Sequence, residues 1–204
     1  MYVPKHFAVT DRDALLSFIR AHPFGILISA ADGKPCATHV PFVILEAAQS
    51  VRLGLHVAKV NPHWKSLDGA DVLTVFHGPH AFVSASWYAN PQDSVPTWDY
   101  SAVHCAGRAI LANDDVTQSI LEMMVREFEG PQRWSMGGAD PDYVQRMKNG
   151  IVGIEIAVTS IEGSFKFSQN RSDEDRERVL QKLDVLCPEL ARDMREFYDA
   201  PVKL

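Results

Sequence analysis

His56, Lys59, Asn61, His63, Trp64 and Lys65 fall within ten consecutive residues, His56-Val-Ala58-Lys59-Val-Asn61-Pro62-His63-Trp64-Lys65. The apolar run before them reads as a strand end. Asn61-Pro62 reads as the start of a helical turn, because Asn caps well and Pro is tolerated in a first turn. Backbone N–H groups at such a start, beside a cation, suit a phosphate. Lys59 and Lys65 are the only Lys or Arg residues between Arg52 and Arg108. The competing reading is a plain capped turn with both lysines solvated. A second set of donors, Lys166-Phe-Ser168-Gln169-Asn170-Arg171, follows a Gly turn at Glu162-Gly163. It suits a phosphate or the carbonyl-and-amide edge of a heterocycle. Its alternative is a polar loop leading into a helix capped by Ser172.

A third stretch, His77 to Arg108, crowds aromatics at both ends of a loop: Trp87 and Tyr88 enter it, Trp98 and Tyr100 leave it. Between Ala81 and Gly107 the only formal charges are Asp93 and Asp99. Apolar surface, planar side chains and a few small polar groups suit a flat heteroaromatic ligand. They suit a buried dimer interface equally. Metal chemistry is not signalled: Cys36 and His39 lie three apart and His104 and Cys105 adjacent, so each pair faces opposite ways on a strand. A Cys–His pair assembled only in space stays open, and Glu155, alone in an apolar strand, is read as facing solvent or a dimer partner.

Composition narrows the class. The 204 residues are 46% hydrophobic and 23% charged, ordinary for a globular chain with a substantial core. Three cysteines without CxxC spacing predict reduced thiols, and the N-terminus does not read as a signal peptide, so the expected location is cytoplasmic, with no membrane segment. Residues 1–110 balance 8 Lys+Arg against 8 Asp+Glu, whereas residues 111–204 carry 12 against 18. An acidic second half, with nine acidic and seven basic residues after Asn170, makes direct DNA binding doubtful.

The elements that must position these residues follow from periodicity. A helix is expected over 11–21, then strands over 24–30 and 35–45 joined by the hairpin signal Asp32-Gly33, and a strand over 51–58. Further strands are predicted over 71–77, 81–86 and 100–111, giving roughly six strands before residue 112 and an antiparallel barrel or sandwich. Val116, Ile120, Met123, Met124 and Phe128 mark an amphipathic helix. A loop over 130–142, a brief helix over 143–148 and a seventh strand over 151–161 follow. Two tail helices are divided by Pro188.

Taken in order, several segments resemble one family. They are Met1-Tyr2-Val-Pro4, Ala37-Thr38-His39-Val40-Pro41, His56 to Pro62, Gly78-Pro79-His80-Ala81-Phe82-Val83-Ser84, Ser86-Trp87-Tyr88, Val95-Pro96-Thr97-Trp98-Asp99-Tyr100, and Lys166 to Arg171. The chain is thereby similar to the PaiB-like FMN-binding negative transcriptional regulators of the flavin split-barrel superfamily. Lys59 stands where that family more usually has Arg, Ala85 where it has Pro, Asp99 where it has Asn, and Phe167 where it has Leu.

The resemblance implies a mainly β fold with helices (α+β): a six- to seven-stranded antiparallel split β-barrel over 1–171, with a helical extension over 172–204 packed on it. It also implies a homodimer with FMN at the subunit interface. Thr38, His39 and Val40 would run beside the isoalloxazine. His56, Lys59, Asn61 and Trp64 would address the phosphate. The strand start at 100–102, with Tyr100 and Ser101, would contribute from the neighbouring subunit, Trp98 would be a further cofactor contact, and Lys166, Ser168, Gln169 and Asn170 would close the site. The function implied is negative transcriptional regulation. The alternatives are an FMN-dependent oxidoreductase using His39, His56 or His104 for proton transfer, and a flavin-sensing module; fold alone does not choose.

Overall fold

The computed structural model describes residues 1–31, 33–130 and 134–199. Asp32 of the hairpin signal and residues 131–133 of the expected loop lie outside the described residues. Eight strands occur in chain order: β1 (Ala8–Val9), β2 (Phe24–Ala31), β3 (Lys34–Pro41), β4 (Val43–Glu46), β5 (Val51–Ala58), β6 (Asp71–Val83), β7 (Thr97–Leu111) and β8 (Ile151–Lys166). The helices are α1 (Arg12–Ala21), α2 (Asp114–Glu129), α3 (Pro141–Lys148), α4 (Asp173–Leu186) and α5 (Pro188–Asp199). The sheet runs in the order β3-β2-β6-β7-β8-β5-β4, with β1 paired to β8. Pairings β2–β3, β2–β6, β4–β5, β5–β8 and β1–β8 are antiparallel.

Helix starts follow the capping chemistry of the sequence. Asp11, Asn113, Asp140 and Ser172 each accept a backbone N–H with their side chains at the first turns of α1, α2, α3 and α4. Three strand expectations need correction: the strand expected over 151–161 continues through the turn signal Glu162-Gly163 to Lys166, with Gly163 paired to Val9 of β1. The return strand expected over 35–45 is broken at Phe42, whose N–H bonds the Pro23 carbonyl at 2.8 Å, so the chain leaves β2 and β4 pairs with β5 instead. The two strands expected over 71–77 and 81–86 are one 13-residue strand through Gly78-Pro79, and Ala85–Trp87 form a 3-10 turn capped by Ser84.

The chain divides into two compact units. The first comprises 1–22, 76–104 and 161–204. Its core is Leu15, Leu16 and Ile19 of α1, Phe165 and Phe167 at the end of β8, and Leu183, Leu190 and Met194 of α4 and α5. The second comprises 23–75 and 105–160, with Leu27, Leu53, Leu55, Ile154 and Ile156 fully buried on its strands. Ile120 and Met124 of α2 pack with Val43 in that second core. Glu155 is buried there and ion-pairs with Arg52 at 2.6 Å rather than facing outward. Among the described residues, no helix is long and apolar enough to cross a membrane.

Candidate functional site

The turn after β5 is held by side chains. Asn61 Oδ1 accepts the His63 N–H at 3.0 Å, Ser66 Oγ donates to the His63 carbonyl at 3.0 Å, and Trp64 Nε1 donates to the Lys59 carbonyl at 3.0 Å. His63 is only 3% exposed and bridges two strands: Nε2 lies 2.8 Å from Ser29 Oγ on β2, and Nδ1 2.7 Å from Thr38 Oγ1 on β3. Asn61 Nδ2 donates to the same Thr38 hydroxyl at 3.3 Å. Burial pushes the His63 pKa down, which favours the neutral ring, donating from one nitrogen to one hydroxyl and accepting at the other from the second. Ser29–His63–Thr38–Asn61 is one polar chain, and it ties the turn to β2 and β3. Of its members, sequence reasoning named Thr38 and Asn61 as site residues, placed His63 in the same turn without a role, and passed over Ser29. The only sequence signal for His63 is its place beside the Asn61-Pro62 cap.

Lys59 is exposed, with Nζ 3.5 Å from the Asn149 carbonyl. With Trp64, Gln145, Lys148 and Asn149 it lines a polar cavity of about 250 Å³, to which Asp114 adds one opposing charge. His56 belongs elsewhere. Its Nδ1 is buried without a hydrogen-bond partner, burial lowers its pKa, and the ring lines a more apolar cavity of about 280 Å³ with Leu121, Val125, Tyr143, Met147 and Ile151. Strand alternation separates His39, exposed, from Val40, buried.

The remaining expected residues lie in the first unit. Trp98 is 54% exposed and packs beside His80 and Phe82, each with ring centroids 6.1 Å away. Asp99 is fully buried and its Oδ2 accepts from Ser168 Oγ at 2.6 Å. Ser168 reaches it from a left-handed backbone at φ 61°. Asp99 Oδ1 has no partner. Burial raises the Asp99 pKa, against the opposing pull of the Ser168 hydroxyl and the Lys166 and Arg171 charges. The family's usual Asn is thus replaced at a buried position. Tyr100 hydroxyl lies 3.3 Å from Ser164 Oγ.

Several of the expected donors are already spent on the chain itself. Lys166 Nζ donates to Thr97 Oγ1 and to the Trp98 carbonyl. Gln169 Oε1 accepts the Phe167 N–H at 2.7 Å while its Nε2 donates to the Phe165 carbonyl, so this amide closes its own loop. Asn170 is exposed. Ser101 faces a cavity bounded by α1 and α5. Phe167 is core, 5.4 Å from the Phe197 ring.

A flavin mononucleotide needs cations and donors for a phosphate, a planar wall, and hydrogen-bonding groups for the ring edge. Within the second unit, Lys59, Lys148 and Trp64 line one polar cavity. These residues fit a phosphate group. When bound, FMN supplies hydride and electron transfer, and the protein supplies binding, orientation and electrostatics.

Comparison with known proteins agrees with this chemistry. Residues 1–160 match a family model described as "Putative FMN-binding domain". The chain is 34% identical to "Protease synthase and sporulation protein PAI 2" of Bacillus subtilis over 208 residues, covering 100% of this chain and 99% of that protein. Among solved structures it is similar to the flavocytochrome Anf3 of Azotobacter vinelandii, with a TM-score of 0.65, 16% identity and coverage of 86% of this chain and 78% of that one. It is also similar to an FAD and heme binding protein of Mycobacterium smegmatis, with a TM-score of 0.60, 15% identity and coverage of 82% and 78%. These likenesses establish the split-barrel fold. With the FMN-binding domain matched over 1–160 and full-length similarity to PAI 2, the chain belongs to the PaiB-like FMN-binding family, and its cofactor is FMN.

Proposed function

We propose that the protein is a cytoplasmic, homodimeric flavoprotein that acts as a negative regulator of transcription, with FMN held at the subunit interface. The observation that carries the flavin site is the Ser29–His63–Thr38–Asn61 chain, which fixes the turn bearing Lys59 and Trp64. In this reading Lys59 neutralises the phosphate and Trp64 shapes its cavity, while Thr38 and Val40 hold the strand beside the isoalloxazine. Lys59 acts as a point charge, without the bidentate fork of the arginine more usual in the family. Trp98 and Tyr100 approach from the neighbouring subunit; the exposed Trp98, Phe82 and Val95, at 54%, 47% and 69%, are the apolar surface that favours a dimer. Lys166, Ser168 and Gln169 shape the loop that presents Asn170. The helices after residue 171 pack on the barrel domain, as the Ala89 N–H bond to Asp175 at 2.8 Å supports.

The acidic second half argues against direct operator contact. Regulation then runs through a protein partner or through metabolite or redox state. The test is a visible spectrum of the desalted protein with gel filtration, repeated for Lys59→Ala. Retained flavin bands on a dimer, lost in the variant, are the expected result. A colourless monomer, or a variant that holds flavin unchanged, refutes the site. Nanomolar sequence-specific DNA binding at physiological salt refutes the indirect route, and steady turnover with NADH or NADPH favours an oxidoreductase.

A further inference from the structure

The first unit contains a cavity whose lining shares only Ser101 with the residues expected to hold FMN. It has a volume of about 280 Å³ and opens beside α1 and α5. That is near the lower end of ligand pockets, roughly 300–1,000 Å³. Its walls are dominated by rings: Phe18 lies 5.0 Å from Phe165, Phe165 lies 5.8 Å from Phe167, and Phe197 closes on both at 6.3 and 5.4 Å. Its polar groups are acceptors or neutral. Asp193 and Glu196 stand on its α5 side, His22 at the end of α1 stacks on Phe18 at 4.5 Å, and Ser101 lines the β7 side.

Two features mark this as a built pocket. Ser101, which lines the cavity, is 1% exposed, and its buried Oγ has no hydrogen-bond partner. Gly78 is the reason the hydroxyl fits: a Cβ there would stand 2.2 Å from Ser101 Oγ and 3.1 Å from the Phe18 ring. Among the described residues no Lys or Arg lines the cavity; Arg192 pairs with Asp193 at 3.7 Å from outside it, on a side chain 65% exposed. Burial pushes the His22 pKa down, so its ring adds no positive charge at neutral pH. Phe165, Phe167, Asp193, Glu196 and Phe197 lie outside residues 1–160, so this pocket extends beyond the matched FMN-binding domain.

We propose that this cavity is a second small-molecule site, which takes a compact organic ammonium carrying an aromatic or branched apolar body. The body packs among the four phenylalanines, and the ammonium donates to the Asp193 and Glu196 carboxylates. Ring faces add attraction for the cation, and the carboxylates exclude anions. This assignment does not depend on where FMN binds.

The test is isothermal titration of the full-length, FMN-loaded protein with 2-phenylethylamine, 2-phenylethanol and phenylacetate. The amine binds saturably at one site per chain, and the alcohol binds weaker by roughly tenfold or more, the scale of a charge-assisted hydrogen bond. Phenylacetate does not bind. Asp193→Asn with Glu196→Gln weakens the amine by a similar factor and leaves the flavin spectrum unchanged. Ala21→Trp, on the cavity's α1 edge, blocks the amine and the alcohol without touching a charge. No saturation by the amine up to roughly 10 mM, well into the weak-binding range, overturns the proposal. So does equal affinity for amine and alcohol, or full affinity in either variant.

Discussion

His63→Ala is the perturbation that separates a structural turn from a flavin-organising one. The ring is 3% exposed and contacts the Ser29 and Thr38 hydroxyls at 2.8 and 2.7 Å. Its removal leaves Ser29 Oγ, on a residue 5% exposed, without that partner, while Thr38 keeps Asn61 at 3.3 Å. An unsatisfied buried hydroxyl costs about 1–3 kcal/mol, and the unfilled volume adds about 1–2 kcal/mol. The variant should therefore lose about 2–5 kcal/mol. Thr38→Val, which removes one hydroxyl and little volume, should lose about 1–3 kcal/mol. Urea unfolding of flavin-stripped protein, followed by tryptophan fluorescence, reads both. With FMN at 100 times its Kd, binding stabilises wild type by about 2.7 kcal/mol more. Where the variant's affinity is tenfold weaker, this increment shrinks by about 1.4 kcal/mol at the same FMN concentration. A loss below about 0.5 kcal/mol, the scale of a surface substitution, refutes the buried node. An undiminished FMN increment in a destabilised variant refutes its link to the flavin.

Three further outcomes are expected. Gly107→Ala places a Cβ 2.5 Å from the Ala157 carbonyl oxygen, a backbone atom that cannot swing away, so thermal unfolding should show a loss of about 1–3 kcal/mol. Gly137→Ala, with nothing within 4 Å, should be neutral within about 0.5 kcal/mol, and equal effects would refute the steric account. The Asp99 pKa is raised by burial, so the folded state holds that proton more tightly than the unfolded chain. Its contribution to stability is full below the unfolded pKa near 3.8 and is lost as pH rises through the folded value. The stability of Asp99→Asn relative to wild type should accordingly rise with pH above that point in urea titrations, and a flat or falling difference would count against it. Cys105 is fully buried, with its pKa pushed up to about 12, so in the native protein it should resist Ellman's reagent at pH 8 while reacting after denaturation. Rapid native labelling of Cys105 would contradict that burial.

Much of the architecture was legible before any coordinates. Local signals are read directly from the chain: Ser172 as a cap, Asn61-Pro62 as a turn, and the apolar alternation of β8 each depend on neighbours a few residues away. The resemblance carried the fold class and cofactor because its segments run in order along most of the chain. What escaped were features that depend on residues far apart in sequence. The break at Phe42 needs the Pro23 carbonyl, and Glu155 needs Arg52, so neither is visible in a local pattern.

The candidate site divides in the same way. The sequence alone determined which residues carry donors, cations and rings near one another along the chain: Lys59, Asn61 and Trp64 in one turn, Lys166 to Asn170 in one loop. Only the tertiary structure decided which of those groups remain free. Gln169 closes its own loop, Asp99 is buried on Ser168, and His63 joins Ser29, 34 residues away, to Thr38, 25 residues away. Side-chain type is a property of the residue. Hydrogen-bond occupancy and burial are properties of partners that only folding brings within about 3 Å.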